Sequence, residues 1–136
     1  MKNEKQLQAS MVMKFSQTYP ERDGHLFAVR NTTFSVKDGN TQKAIGMKSG
    51  VSDLIFNDQN MICIEVKFPG SKHNKSHIIN QYEWGVKQES AGGEYFIATS
   101  VSGFMSIIKG GELDPDVITL DKLKDMIENS ESEVKF

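Results

Sequence analysis

In residues 46–68, GMKSGVSDLIFNDQNMICIEVKF, a glycine-flanked approach leads to a short apolar strand starting near Asp53, a polar turn at Asn57-Asp58-Gln59-Asn60, and a second apolar strand. Along that second strand Ile62, Ile64, Val66 and Phe68 alternate with Met61, Cys63, Glu65 and Lys67, and the two-residue period of a strand gives each set its own face. Glu65 and Lys67 therefore point the same way. A three-residue loop at 58–60 folds the first strand back on the second and sets Asp53 opposite Glu65. Two carboxylates converging at a strand edge suit a hard cation such as Mg²⁺ or Mn²⁺, which takes oxygen ligands and keeps several waters; a lysine two residues beyond Glu65 can hold or polarise such a water. Taken alone, Glu-x-Lys on a strand is more often the pattern of an ordinary solvated sheet face.

Working outward toward the N-terminus, Leu7, Met11 and Phe15 recur every four residues and predict a helix over 3–18. Glu4 and Gln8 share that stripe, since ~100° per residue keeps both near the apolar direction. A first-turn acid is also what the helix dipole favours. Tyr19-Pro20 ends the helix, residues 21–24 form a turn, and 25–31 alternate as a strand. Residues 32–47 contain Gly39 and Gly46 and no sustained period, so a long loop or irregular hairpin is expected; with Lys37, Lys43 and Lys48 it can cover a substrate or simply be solvated.

Beyond the hairpin, residues 69–75 form a turn-rich basic stretch directly after Lys67. Lys72, His73, Lys75 and His77 there can contact phosphates. Ser76 is the expected N-cap of a helix running to about Ser90 and closed by Gly92-Gly93. Its apolar face is Ile78, Ile79, Tyr82 and Val86; Gln81 and Trp84 lie on the other side, Trp84 as a packing residue. Residues 94–99 read as a strand, and Ser100 or Ser102 starts a helix carrying Phe104, Met105, Ile107 and Ile108. Past Gly110-Gly111, Leu120, Leu123, Met126 and Ile127 predict a short amphipathic helix, and residues 129–136 are expected to fray. The order of elements implies an α/β sandwich with a mixed sheet.

A length of 136 residues, 38% hydrophobic and 25% charged, fits one globular domain with a single core. The one cysteine, Cys63, cannot form an intramolecular disulfide. No apolar run approaches a membrane span and MKNEKQLQAS is not a signal segment, so no membrane partner and a cytoplasmic location are expected. The net charge of −2 divides unevenly: residues 1–111 carry 13 Lys/Arg against 10 Asp/Glu, a balance of +3, and residues 112–136 carry 3 against 8, a balance of −5. The expected organisation is a basic domain over 1–111 with an acidic extension over 112–136 bearing a short helix.

The ordered set Gly50-Val51-Ser52-Asp53-Leu54, Glu65-Val66-Lys67 and Gln81 resembles the VRR-NUC branch of the PD-(D/E)XK nucleases. The resemblance runs from about Glu4 to about Ile108 and includes Glu4-x-x-x-Gln8, Asn31 after a strand, and the Lys48-x-Gly50 approach. Ser52 stands where the family usually has proline. The resemblance implies a restriction-endonuclease-like core in which Asp53, Glu65 and the Val66 carbonyl hold Mg²⁺ or Mn²⁺. Lys67 then orients the attacking water, and Gln81 and Glu4 complete the site. It further implies a DNA endonuclease similar to small phage or bacterial enzymes acting on branched DNA, including Holliday junctions, and a homodimer. By charge and position in the two loops, Lys43, Lys48, Lys72, His73 and Lys75 are the expected DNA contacts. The alternatives are a nuclease for flaps, nicks or duplex, a non-catalytic DNA-binding module on the same fold, and a protein-interaction domain.

Overall fold

The computed structural model describes residues 3–29 and 36–136, with residues 36–38 described by backbone alone. Its fold is α/β. A mixed five-stranded sheet, in the order β1 (Leu26–Ala28), β2 (Leu54–Asp58), β3 (Asn60–Val66), β5 (Glu94–Ala98) and β6 (Ile118–Thr119), lies between two helical layers, with a separate two-stranded ribbon of β4 (Lys72–Asn74) and β7 (Glu133–Lys135). This architecture is compatible with a restriction-endonuclease-like core.

Helix α1 (Glu4–Thr18) starts where Asn3 accepts a hydrogen bond from the Gln6 amide, a side-chain cap that satisfies one otherwise orphaned donor. It buries Leu7, Met11 and Phe15 at the predicted spacing. Strand β1 (Leu26–Ala28) pairs antiparallel with β2 (Leu54–Asp58), which pairs antiparallel with β3 (Asn60–Val66). The observed β2–β3 register, Leu54 against Ile64 and Asp58 against Asn60, is the one the turn chemistry implied, and Gln59 takes a positive φ of 45° at the tip. The period of two then sorts the side chains. Leu54, Phe56, Ile64 and Val66 join α1 and α4 (Val101–Lys109) in one core. Ile55 and Cys63 join Tyr95 and Ile97 of β5 (Glu94–Ala98) in the other, under α3 (Lys75–Ser90) and α5 (Leu120–Glu128). Each fully buried aliphatic or aromatic side chain contributes about 1.5–3 kcal/mol. Helix α3 connects β3 to β5, which run parallel, as a crossover of this length permits.

Four expectations are corrected. Within residues 32–47 the described part is not a loop: Val36–Ala44 forms helix α2. Its amides end in a Schellman pattern, with Gly46 N–H donating to Lys43 O and Met47 N–H to Gln42 O, and Gly46 at φ 107°. Period-based reading missed it because the described side chains of the helix, residues 39–44, bury no broad stripe; Ile45 just beyond it is 79% exposed. Helix α3 is capped by Asn74, whose Oδ1 accepts from the Ser76 amide and hydroxyl, not by Ser76. Its inward face is Ile78, Gln81 and Gly85, while Val86 is 41% exposed. Gly85 explains the rotation: a Cβ there would lie 2.8 Å from Tyr95 Cγ, so the helix sits closest to the sheet along that line.

The fourth correction concerns the tail. Residues 69–75 contain strand β4 (Lys72–Asn74), and residues 129–136 do not fray, because β7 (Glu133–Lys135) pairs antiparallel with β4 and Val134 is 1% exposed. Between them β6 (Ile118–Thr119) extends the main sheet on β5 and α5 packs against α3. The acidic stretch 112–136 is thus built into the two cores rather than hanging from them. Among the described residues no helix is long and apolar enough to cross a membrane. Asn31 lies outside the described residues.

Candidate active site

The hairpin delivers the first two groups. Asp53 immediately precedes β2 and, one step beyond the Leu54–Ile64 pair, stands opposite Glu65. Its Oδ2 accepts the Val66 amide at 2.8 Å, a bond that ties the start of one strand to the end of the other. The approach to Asp53 is held against α3: Gly50 has φ 83° and a Cβ there would meet the Asn80 carbonyl at 2.9 Å, while Asn80 Nδ2 donates to Ser49 Oγ. Only glycine fits that close approach. Ser52 is buried and donates to the Leu54 carbonyl at 3.1 Å.

Glu65 and Lys67 share a face as read, but that face is not solvated: they are 3% and 2% exposed. Lys67 Nζ is 3.7 Å from Glu65 Oε1, whereas Glu65 Oε2 is buried without a hydrogen-bond partner among the described residues. Burial pushes the Glu65 carboxyl well above its ordinary range. The negative charge of Asp53 and a hydrogen bond shared with it push the same way, Glu4 adds slightly, and the Lys67 ammonium opposes them. Gln81, buried on α3, places Nε2 3.2 Å from His77 Nε2, and its Oε1 has no hydrogen-bond partner among the described residues.

Glu4 reaches the site from the first turn of α1, with Oε1 3.1 Å from His73 Nε2. Burial lowers the His73 pKa from its ordinary value, the Lys67 charge lowers it further, and Glu4 works against both. These groups line one open cavity of about 870 Å³, whose far wall is α2 and its exit with Asn40, Lys43 and Lys48. Of the proposed phosphate contacts, Lys43, Lys48 and His73 line this cleft. Lys72 is exposed on β4, and Lys75 is occupied, its Nζ donating to the Ser130 carbonyl at 2.9 Å. Trp84 packs edge-on against Tyr95 with centroids 6.2 Å apart.

Sequence reasoning missed Phe136, whose ring centroid lies 5.8 Å from Lys67 Nζ; nothing local in a terminal Glu-Val-Lys-Phe marks it. Among the described residues no group of three His, Cys, Asp or Glu side chains is placed to hold a metal ion. The cluster instead offers two adjacent carboxylates, one with a buried unpaired oxygen. That donor set suits Mg²⁺, which is usually bound through one or two carboxylates with water and substrate phosphate supplying the rest.

Fold and cleft together define an α/β protein with a mixed sheet and a carboxylate–lysine cluster at the end of its central hairpin. No known family model and no curated protein matches the chain.

Proposed function

We propose that the protein is a Mg²⁺- or Mn²⁺-dependent endonuclease that hydrolyses phosphodiester bonds in DNA, with branched DNA as the preferred substrate. The observation that carries this reading is the burial of Glu65 beside Asp53 and Lys67 at the base of an open, lysine-flanked cleft, with one Glu65 oxygen unpaired among the described residues. A polar group is buried unsatisfied at a cost of about 1–3 kcal/mol, which a cation bound to that oxygen would offset. The resemblance of Asp53, Glu65-Val66-Lys67 and Gln81 to the VRR-NUC pattern supports the same reading.

Asp53 and Glu65 would hold the cation, with the Val66 carbonyl. When bound, it polarises the scissile phosphate and stabilises charge developing on it. Lys67, fixed beside Glu65, orients the attacking water, and Gln81 supplies a further acceptor at the same edge. The water oxygen ends on phosphorus and the bond to one sugar oxygen breaks; one water proton goes to the released hydroxyl and the other to solvent. Lys43 and Lys48 meet the phosphates flanking the cut.

A flap, nick or duplex nuclease shares this chemistry and differs only in substrate. A non-catalytic DNA-binding module fits less well, since burying two carboxylates against phosphate opposes binding. Because a four-way junction has approximate twofold symmetry and needs two cuts, a homodimer with one centre per chain is the simplest resolving unit. The test is cleavage of labelled duplex, flap and four-way junction with Mg²⁺, Mn²⁺ or EDTA. Asp53→Asn and Glu65→Gln are expected to abolish cleavage and leave DNA binding in place; either variant cutting at the wild-type rate overturns the assignment. Light scattering reads the assembly.

A further inference from the structure

We infer that Phe136 is a positioning residue for Lys67, and that the C-terminal strand is thereby a working part of the cleft. The inference rests on the reading of Lys67 as the group that orients the attacking water. Lys67 is 2% exposed, and at 3.7 Å its ammonium approaches Glu65 without a short hydrogen bond. The Phe136 ring closes another side of it, centroid to Nζ 5.8 Å, and meets the His73 ring edge-on at 5.7 Å and 75°. An aromatic face at this range attracts an ammonium through the ring quadrupole and excludes water that would otherwise solvate it.

The ring is held from both directions. The Phe136 amide donates to Ser71 O and its carbonyl accepts from Gly70 N–H, each at 2.9 Å. The three β7 residues before it are in register with β4, Lys135 against Lys72 and Val134 against His73. Val134 is sunk in the core beneath α3, and the Lys75 amide donates to Ser132 O at 2.9 Å. All of these bonds go to the segment that leads from Lys67 into α3, so a shift in the tail moves the lysine's surroundings directly. A side chain that merely filled space would not need a quadrupole, which separates phenylalanine from leucine.

The experiment compares the full chain with Phe136→Ala, Phe136→Leu and Phe136→Tyr. Acetylation by N-hydroxysuccinimidyl acetate, read by peptide mass spectrometry, measures access to Lys67 against exposed Lys72. Protection of Lys67 is expected in wild type and Phe136→Tyr, and its loss in Phe136→Ala. In single-turnover cleavage with Mn²⁺, Phe136→Ala is expected to lose about tenfold in rate, with Phe136→Leu also impaired and Phe136→Tyr near wild type, at unchanged DNA affinity. Should Phe136→Ala fail to fold, the Leu and Tyr variants carry the same comparison. Lys67 equally protected in folded Phe136→Ala, or Leu cutting as fast as Phe, overturns the inference. Absence of cleavage by wild type defeats the nuclease reading instead, and the acetylation pattern still decides whether Phe136 covers Lys67.

Discussion

Replacing Glu65 by glutamine should make the protein more stable at neutral pH while removing its proposed activity. Glu65 is 3% exposed, and its carboxyl titrates well above the ordinary 4.5 because burial and then Asp53 disfavour its charge. The unfolded chain ionises Glu65 in the ordinary range, whereas the folded chain holds the proton to higher pH. Protons therefore bind the folded state more tightly. Stability from this group is full below the ordinary carboxylate range and falls as pH rises from there through the raised folded value. A glutamine cannot ionise and escapes that loss. Its removal of Lys67's nearest partner, 3.7 Å away, works in the opposite direction, as breaking a buried pair usually destabilises. Here Asp53 remains in the same cleft as Lys67, and desolvation and Asp53 outrank Lys67 among the causes of the shift, so neutralisation wins. Relieving the cost of ionising this buried carboxyl is worth about 1–3 kcal/mol. With ~2.1 cal/mol/K of unfolding entropy per residue over 136 residues, that is a rise in Tm of roughly 3–10 °C. Thermal melts followed by circular dichroism, in EDTA at about pH 8 and about pH 4, measure it. The difference should shrink at the lower pH, where wild-type Glu65 is protonated folded or not. A Glu65→Gln protein that melts below wild type at pH 8, or whose advantage is the same at both pH values, refutes the reasoning.

Gly85→Ala should destabilise by about 1–3 kcal/mol, because its Cβ would lie 2.8 Å from Tyr95 Cγ and 3.0 Å from Leu120 Cδ2; an urea midpoint equal to wild type contradicts the packing. Truncation after Gly111 removes β6, α5 and β7 with the buried Ile118, Leu123 and Val134, so the fragment should lose its cooperative unfolding transition; a sharp melt would show that the rest stands alone. If Lys43 and Lys48 contact phosphates from the cleft wall, each alanine variant should weaken binding to all DNA sequences and reduce the slope of log K against log salt by about one, whereas Lys75→Ala, whose Nζ holds Ser130 O, should lower stability more than the slope. Fluorescence anisotropy across a salt series separates these outcomes.

The chemistry of the centre was legible along the chain wherever a short-range rule governs it. The alternation at 61–68 and the polar turn at 57–60 place Asp53 opposite Glu65 and Lys67 beside it, because strand period and hairpin length are local properties. Four-residue apolar spacing likewise located α1, and small capping residues located α4. What tertiary structure alone decided is how deep those groups lie. Glu65 and Lys67 are buried where α3, β4 and Phe136 meet at the base of the cleft, and α3 turns Gln81 inward because Gly85 lets it approach Tyr95. Among the described side chains of helix α2, Asn40, Thr41, Lys43 and Ala44 are exposed, so the stretch lacks the amphipathic signature that reveals buried helices. Strands β4 and β7 are three residues each and more than fifty residues apart. So short a strand has almost no propensity of its own and exists only when its distant partner supplies the hydrogen bonds. That long-range pairing is also what carries Phe136 to Lys67, which no reading of neighbouring residues could foresee.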